Sequence, residues 1–131
     1  MPHLTIAYSA NLPADHVGWA CTALHKVLAA DGAFELGAIR VRAVRCDIYD
    51  IADRHPDNAF MAMTLRIGAG RSKADKQRIG GALLAMSETV FAERLSQPHF
   101  ALSLDIVENT PEFSWKANSI HPRLRAAKGA T

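Results

Sequence analysis

Two hydrophobic periods take turns along this chain. Residues 3–8 alternate in steps of two, with Leu4, Ile6 and Tyr8 on one face, which predicts a strand beginning almost at the first residue. Asn11, Leu12 and Pro13 then signal a turn and a helix start. Over 14–31 the apolar positions Val17, Cys21, Leu24 and Leu28 recur every three or four residues, the stripe of an amphipathic helix, and Gly32 follows as its C-terminal cap. Step-two alternation returns over 38–47, where Ile39, Val41 and Ala43 point one way and Arg40, Arg42 and Val44 the other.

After a polar loop over 53–58, the order repeats. A strand is predicted over 59–67, then a tight turn at Gly68, Ala69 and Gly70. Ser72 with Asp75 forms a capping box for a helix running to Leu95, with Ile79, Leu83, Met86, Val90 and Phe91 as its buried stripe. Gly80 and Gly81 weaken that helix locally and suit a close approach by another element. Gln97 and Pro98 end it, and 99–107 forms a fourth strand. Residues 1–50 and 59–108 are thus two β-α-β units without detectable identity to each other, each with parallel strands and a right-handed crossover. Together they predict a single α/β (α+β) domain over 1–131, a four-stranded sheet with both helices on one face. Leu4, Ile6, Leu102 and Leu104 imply too little polar surface to leave either sheet face wet, which predicts an oligomer. The tail, 109–131, carries Phe113, Trp115, Ile120 and Leu124 between polar residues and is expected to cover a neighbour or its own sheet; the last four residues are expected to fray.

Composition narrows the partners. Fifteen basic and thirteen acidic residues leave a net charge of +2, too mild to argue for nucleic acid. No apolar run is long enough to span a membrane, and the N-terminus lacks the basic start and apolar core of a signal peptide, so a cytoplasmic location follows by default. Cys21 and Cys46 form no C-x-x-C pair and read as reduced thiols. The six histidines show no ligand spacing, so no metal is expected.

The chemistry centres on Pro2. Once Met1 is removed, its nitrogen is a secondary amine, and burial and nearby cations would lower its pKa toward the range of a working general base. Arg40 and Arg42 project from one face of a strand with Cα atoms about 6.6–7 Å apart, a spacing that suits a ligand with more than one carboxylate. Arg71 follows the glycine turn at a helix start, where backbone N–H groups favour an anion. The Gly-Ala-Gly-Arg-Ser run lacks the spacer and ending of a P-loop, and no Gly-x-Ser-x-Gly turn is present.

These pieces sit inside longer blocks. Met-Pro-His at the start, Ile39-Arg40-Val41-Arg42, the stretch from Met63 to Ser72 and the run from Lys116 to His121 together resemble the 5-carboxymethyl-2-hydroxymuconate isomerase family. The Thr-Leu-Arg-Ile-Gly-Ala-Gly-Arg-Ser block is the most specific part, whereas 8–32 matches loosely. The resemblance implies the tautomerase fold, a tandem β-α-β repeat with a mixed sheet, and a homotrimer. It implies a cofactor-independent isomerisation of a small polycarboxylate in aromatic catabolism. Pro2, Arg40 and Arg71 would be catalytic, with Arg42 binding substrate. Two other readings stay open: a tautomerase for a different 2-hydroxydienoate or an aryl pyruvate, and a non-catalytic binding protein of the same fold.

Overall fold

The computed structural model describes residues 1–129, so the expected fraying of the last residues lies in part outside the described residues. Four strands, β1 (His3–Ser9), β2 (Arg40–Cys46), β3 (Ala59–Ile67) and β4 (Phe100–Glu108), form one sheet in the order β2-β1-β3-β4. β1 is parallel to β2 and β3 to β4, as two β-α-β units require, and the units join by antiparallel pairing of β1 with β3. Two long helices, α1 (Ala14–Asp31) and α2 (Lys73–Val90), cover one face.

The core is the product of the two periods. Leu4, Ile6, Met61, Met63 and Leu65 point from the central strands to Val17, Leu24 and Leu28 of α1 and to Ile79 and Leu83 of α2, all with no more than 1% of their surface exposed. Each such side chain contributes roughly 1.5–3 kcal/mol by leaving water. Leu102 and Leu104 point to the same covered face. The opposite face mixes Thr5, Arg42, Thr64, Arg66, Ser103 and Asp105 with Ala7, Val44, Ala62, Ala101 and Val107, of which Val44 and Val107 are exposed. This corrects the inference from Leu4, Ile6, Leu102 and Leu104: all four share the helix side, so they do not argue that the open face is apolar.

Capping follows the sequence closely. Gly32 takes φ 86° at the end of α1, and Gly70 takes φ 101° in the turn before α2. The Ser72 hydroxyl accepts the Asp75 N–H at 3.0 Å, while the Asp75 carboxylate turns to Arg78 at 2.6 Å. Only the first half of the expected capping box is therefore formed. Gly80 does permit a close approach, since a Cβ there would stand 3.3 Å from Cδ1 of Ile106; Gly81 faces open space. The helix expected to reach Leu95 instead breaks at Phe91 (φ −107°, ψ 23°) and resumes as the short α3 (Ala92–Leu95). At the break, Nε2–H of His16 donates to the Val90 carbonyl at 2.9 Å and the His16 ring lies 4.5 Å from the fully buried Phe91. A single-turn helix over Leu36–Ala38 precedes β2, which delays that strand to Arg40. The tail closes with a helix that the apolar pattern did not predict, α4 (Ile120–Gly129).

The two long helices are tied by Asp31, at the end of α1, which accepts two bonds from Arg78 at 2.9 and 3.2 Å. These bonds hold the Asp31 carboxyl below its ordinary pKa, against a smaller opposing effect of burial. A depressed carboxyl stabilises the fold above its unfolded-state pKa of about 3.9 and loses that contribution as pH falls through the folded value. Asp31→Asn is therefore expected to cost about 1 kcal/mol in urea unfolding at pH 7. Its deficit against the wild type should shrink below about pH 4; a deficit independent of pH would count against the ion pair.

Candidate active site around the N-terminus

Because β1 is a central strand, the residue before it lies at the edge of the core. Pro2 is buried, and its carbonyl accepts the Arg40 N–H at 3.0 Å, extending the β1–β2 ladder by one step. Proline fits here because its missing N–H removes nothing from the ladder. Pro2 lines a cavity of about 480 Å³ with Phe34, Arg71, Lys116, Asn118 and His121 among its other walls.

The walls come from three places. Arg71, placed by the turn before α2, donates to the Ala33 carbonyl at 2.8 Å, and its guanidinium carbon lies 4.6 Å from the centre of the Phe34 ring. Those two contacts fix the plane of its fork and leave its other N–H groups for a ligand. The tail supplies the opposite wall. The Asn118 side chain donates to the Gly37 carbonyl at 2.9 Å and accepts the N–H groups of Ile120 and His121 at 2.8 and 3.1 Å, so it both anchors and caps α4. Glu35 accepts two bonds from Arg125 at 2.6 and 2.7 Å, which lower its pKa. Nδ1 of His121 comes within 2.9 Å of the same carboxylate without an aligned hydrogen bond.

The electrostatics are one-sided. Glu35 is the acidic residue of the lining, and Arg125 holds it. The N-terminal amine, here on Met1, is held below its ordinary pKa by burial first and then by Lys116, Arg71 and Arg40. With Met1 in place the Pro2 nitrogen is an amide; the Met1 amine reports the field one residue ahead of it.

Three of the four residues singled out from the sequence gather at this point. Pro2 and Arg71 line the cavity. Arg40 acts on the amine by charge, while its guanidinium is occupied by the Gly37 carbonyl at 3.1 Å. Arg42 shares Arg40's sheet face as expected, but two residues further along β2 it lines a neighbouring cavity of about 360 Å³ with His3, Thr64 and Arg66. There its Nη1 lies 3.3 Å from Nδ1 of His3, whose pKa is lowered by burial and then by Arg42 and Arg40. Met1 and Lys116 line both cavities. Sequence reasoning missed Phe34, Glu35, Asn118, His121 and Arg125; the Lys116–His121 block was a usable signal. It also missed a gathering of His55, Asp57 and His99, whose ligand atoms lie within 4.8 Å of one another, because His99 comes from a segment distant in sequence from the loop that carries the other two. Both imidazole Nδ1 atoms there already have partners, the Asp57 N–H and the Asn58 side-chain oxygen, and the network braces the loop before β3.

A family model for 5-carboxymethyl-2-hydroxymuconate isomerase matches residues 2–124. The chain belongs to the 5-carboxymethyl-2-hydroxymuconate isomerase family. It is 37% identical over 123 residues to the 5-carboxymethyl-2-hydroxymuconate Delta-isomerase of Escherichia coli, covering 92% of this chain and 97% of that one. The crystal structure of a 5-carboxymethyl-2-hydroxymuconate isomerase from Deinococcus radiodurans R1 superposes with a TM-score of 0.88 at 40% identity, covering 95% and 94% of the two chains. A fused 4-OT, a symmetric trimer, shares the fold with a TM-score of 0.67 at 15% identity, over 88% of this chain and 93% of that one. The tautomerase fold that the resemblance implied is thus the fold of this 5-carboxymethyl-2-hydroxymuconate isomerase family member.

Gly37 joins the two halves of the cavity wall. A Cβ at that position would stand 2.7 Å from Nδ1 of His121 and 3.3 Å from its Cα. Gly37→Ala is expected to lift α4, increasing amide hydrogen exchange over 120–129 while the central strands keep their protection; unchanged exchange in α4 would show that the contact yields without undocking.

Proposed function

We propose that this chain is a cofactor-independent isomerase converting 5-carboxymethyl-2-hydroxymuconate to its 2-oxo isomer, with the Pro2 amine as proton carrier after Met1 is removed. The observation that carries this reading is the buried N-terminus in a cavity whose uncompensated charge is positive. Family membership supplies the substrate class.

The step uses one proton and no redox chemistry. The Pro2 amine takes the 2-hydroxyl proton, breaking the O–H bond and leaving a dienolate whose charge spreads from oxygen to carbon. The same nitrogen returns the proton to carbon, forming a C–H bond and the 2-oxo product. Arg71, fixed by Phe34 and the Ala33 carbonyl, stabilises the dienolate and its adjacent carboxylate. Arg40 acts as a nearby positive charge that keeps the amine neutral. Arg42, across in the second cavity, holds a distal part of the substrate. A cytoplasmic homotrimer fits this reading, with the exposed Phe113 and Trp115 of the tail, 72% and 84% exposed, as subunit contacts. Among the described residues, no helix is long and apolar enough to cross a membrane.

The direct test follows ultraviolet decay of 5-carboxymethyl-2-hydroxymuconate with protein whose intact mass shows that Met1 is gone. Pro2→Ala is expected to lower turnover by about 10²-fold or more, and protein that retains Met1 should be inactive. No acceleration over buffer would sink the activity.

Arg71→Ala should slow turnover about a hundredfold. Its pH profile carries a separate prediction. Removing a cation raises the amine pKa, so the acid limb should move to higher pH; an unmoved limb would remove Arg71 from the amine's environment.

A further inference from the structure

The cations of the Pro2 cavity are not equivalent. Arg125 is committed to Glu35 by two short bonds. Arg71 is held in one plane by Ala33 and Phe34. Lys116 differs from both: among the described residues no carboxylate pairs with it, its side chain is exposed, and it lines both cavities at their common border with Met1. It is also the charge with the largest effect on the N-terminal amine. The backbone that carries it is fixed, since Asn118, two residues on, is bonded to Gly37 and caps α4. An unpaired ammonium that shares a cavity with Arg71 and the amine is repelled by both, and an anion in the cavity relieves that repulsion.

The substrate class carries three carboxylates. Two belong to the muconate backbone; the third ends the carboxymethyl arm on carbon 5, remote from the 2-hydroxyl group and the carboxylate beside it. Arg71 stands beside Pro2 in the first cavity, whereas Lys116 stands where the first cavity meets the second. Resting on the activity given above, we propose that Lys116 is a specificity-determining residue that binds the carboxymethyl carboxylate and so separates three-carboxylate from two-carboxylate substrates. A compact, mobile ammonium suits a carboxylate on a flexible methylene, whereas a rigid fork suits the conjugated end.

The test compares 5-carboxymethyl-2-hydroxymuconate with 2-hydroxymuconate, which lacks the arm, in Met1-free protein. Removing the Lys116 charge raises the amine pKa, a loss that both substrates share. Beyond it, Lys116→Met is expected to lower the ratio of kcat/KM for 5-carboxymethyl-2-hydroxymuconate to that for 2-hydroxymuconate about tenfold, mainly through KM of the three-carboxylate substrate. Lys116→Arg should keep the wild-type preference, and thermal unfolding of both variants is measured beside it. Equal losses on both substrates, with the acid limb moved to higher pH, would overturn the assignment and leave Lys116 acting only on the amine. No loss on either substrate overturns it as well. Wild-type protein that isomerises 2-hydroxymuconate alone would remove the arm from the substrate and overturn the assignment, while the Pro2 chemistry would stand. Wild-type protein inactive on both would sink the activity and this inference with it.

Discussion

A chain whose first strand is central in its sheet must bury its own beginning. β1 pairs on one side with β2 and on the other with β3, so the residue just ahead of it cannot trail into solvent. Everything at the site follows from that constraint. It brings Pro2 to the end of the ladder, under the turn at 36–38 and beside the entry to α2, and it exposes the terminal nitrogen to whatever charges those elements carry. Burial alone would lower the basicity of an amine; here it acts together with three cations.

The positive field around the terminus is maintained by a division of labour among side chains. The carboxylate of the lining, Glu35, is neutralised by Arg125, an arrangement that also holds α4 in place. Arg71 has lost rotational freedom to an aromatic ring and a carbonyl before any ligand arrives, which lowers the entropic cost of using it. Asn118 meets the free N–H groups at the start of α4 and reaches the main chain at Gly37. The tail is thereby a wall of the cavity as well as a surface of the molecule.

Much of the fold was legible because both periods are strong. The stripe of α1, the αL glycine at position 32 and the glycine turn before Arg71 are local features, and local rules found them. The break at Phe91 was not legible, because it depends on His16 reaching across from α1 to Val90. Nor was α4: its apolar pattern is faint, and its docking depends on the Asn118 cap and on Glu35, 90 residues away from Arg125. At the site, strand periodicity correctly put Arg40 and Arg42 on one face, but a shared face spans more than one cavity. Residues such as Glu35 and His121 carry no spacing signal, since their relation exists only once the tail has folded back.

The order in which the strands are made adds a constraint of timing. β1 leaves the ribosome first, yet its partners β2 and β3 are complete only at residues 46 and 67. Until both have formed, the N-terminus has no ladder to close it; once β3 pairs, Met1 lines the cavity beside Pro2. The proposed chemistry therefore asks that the initiator residue be removed from a terminus that folding closes.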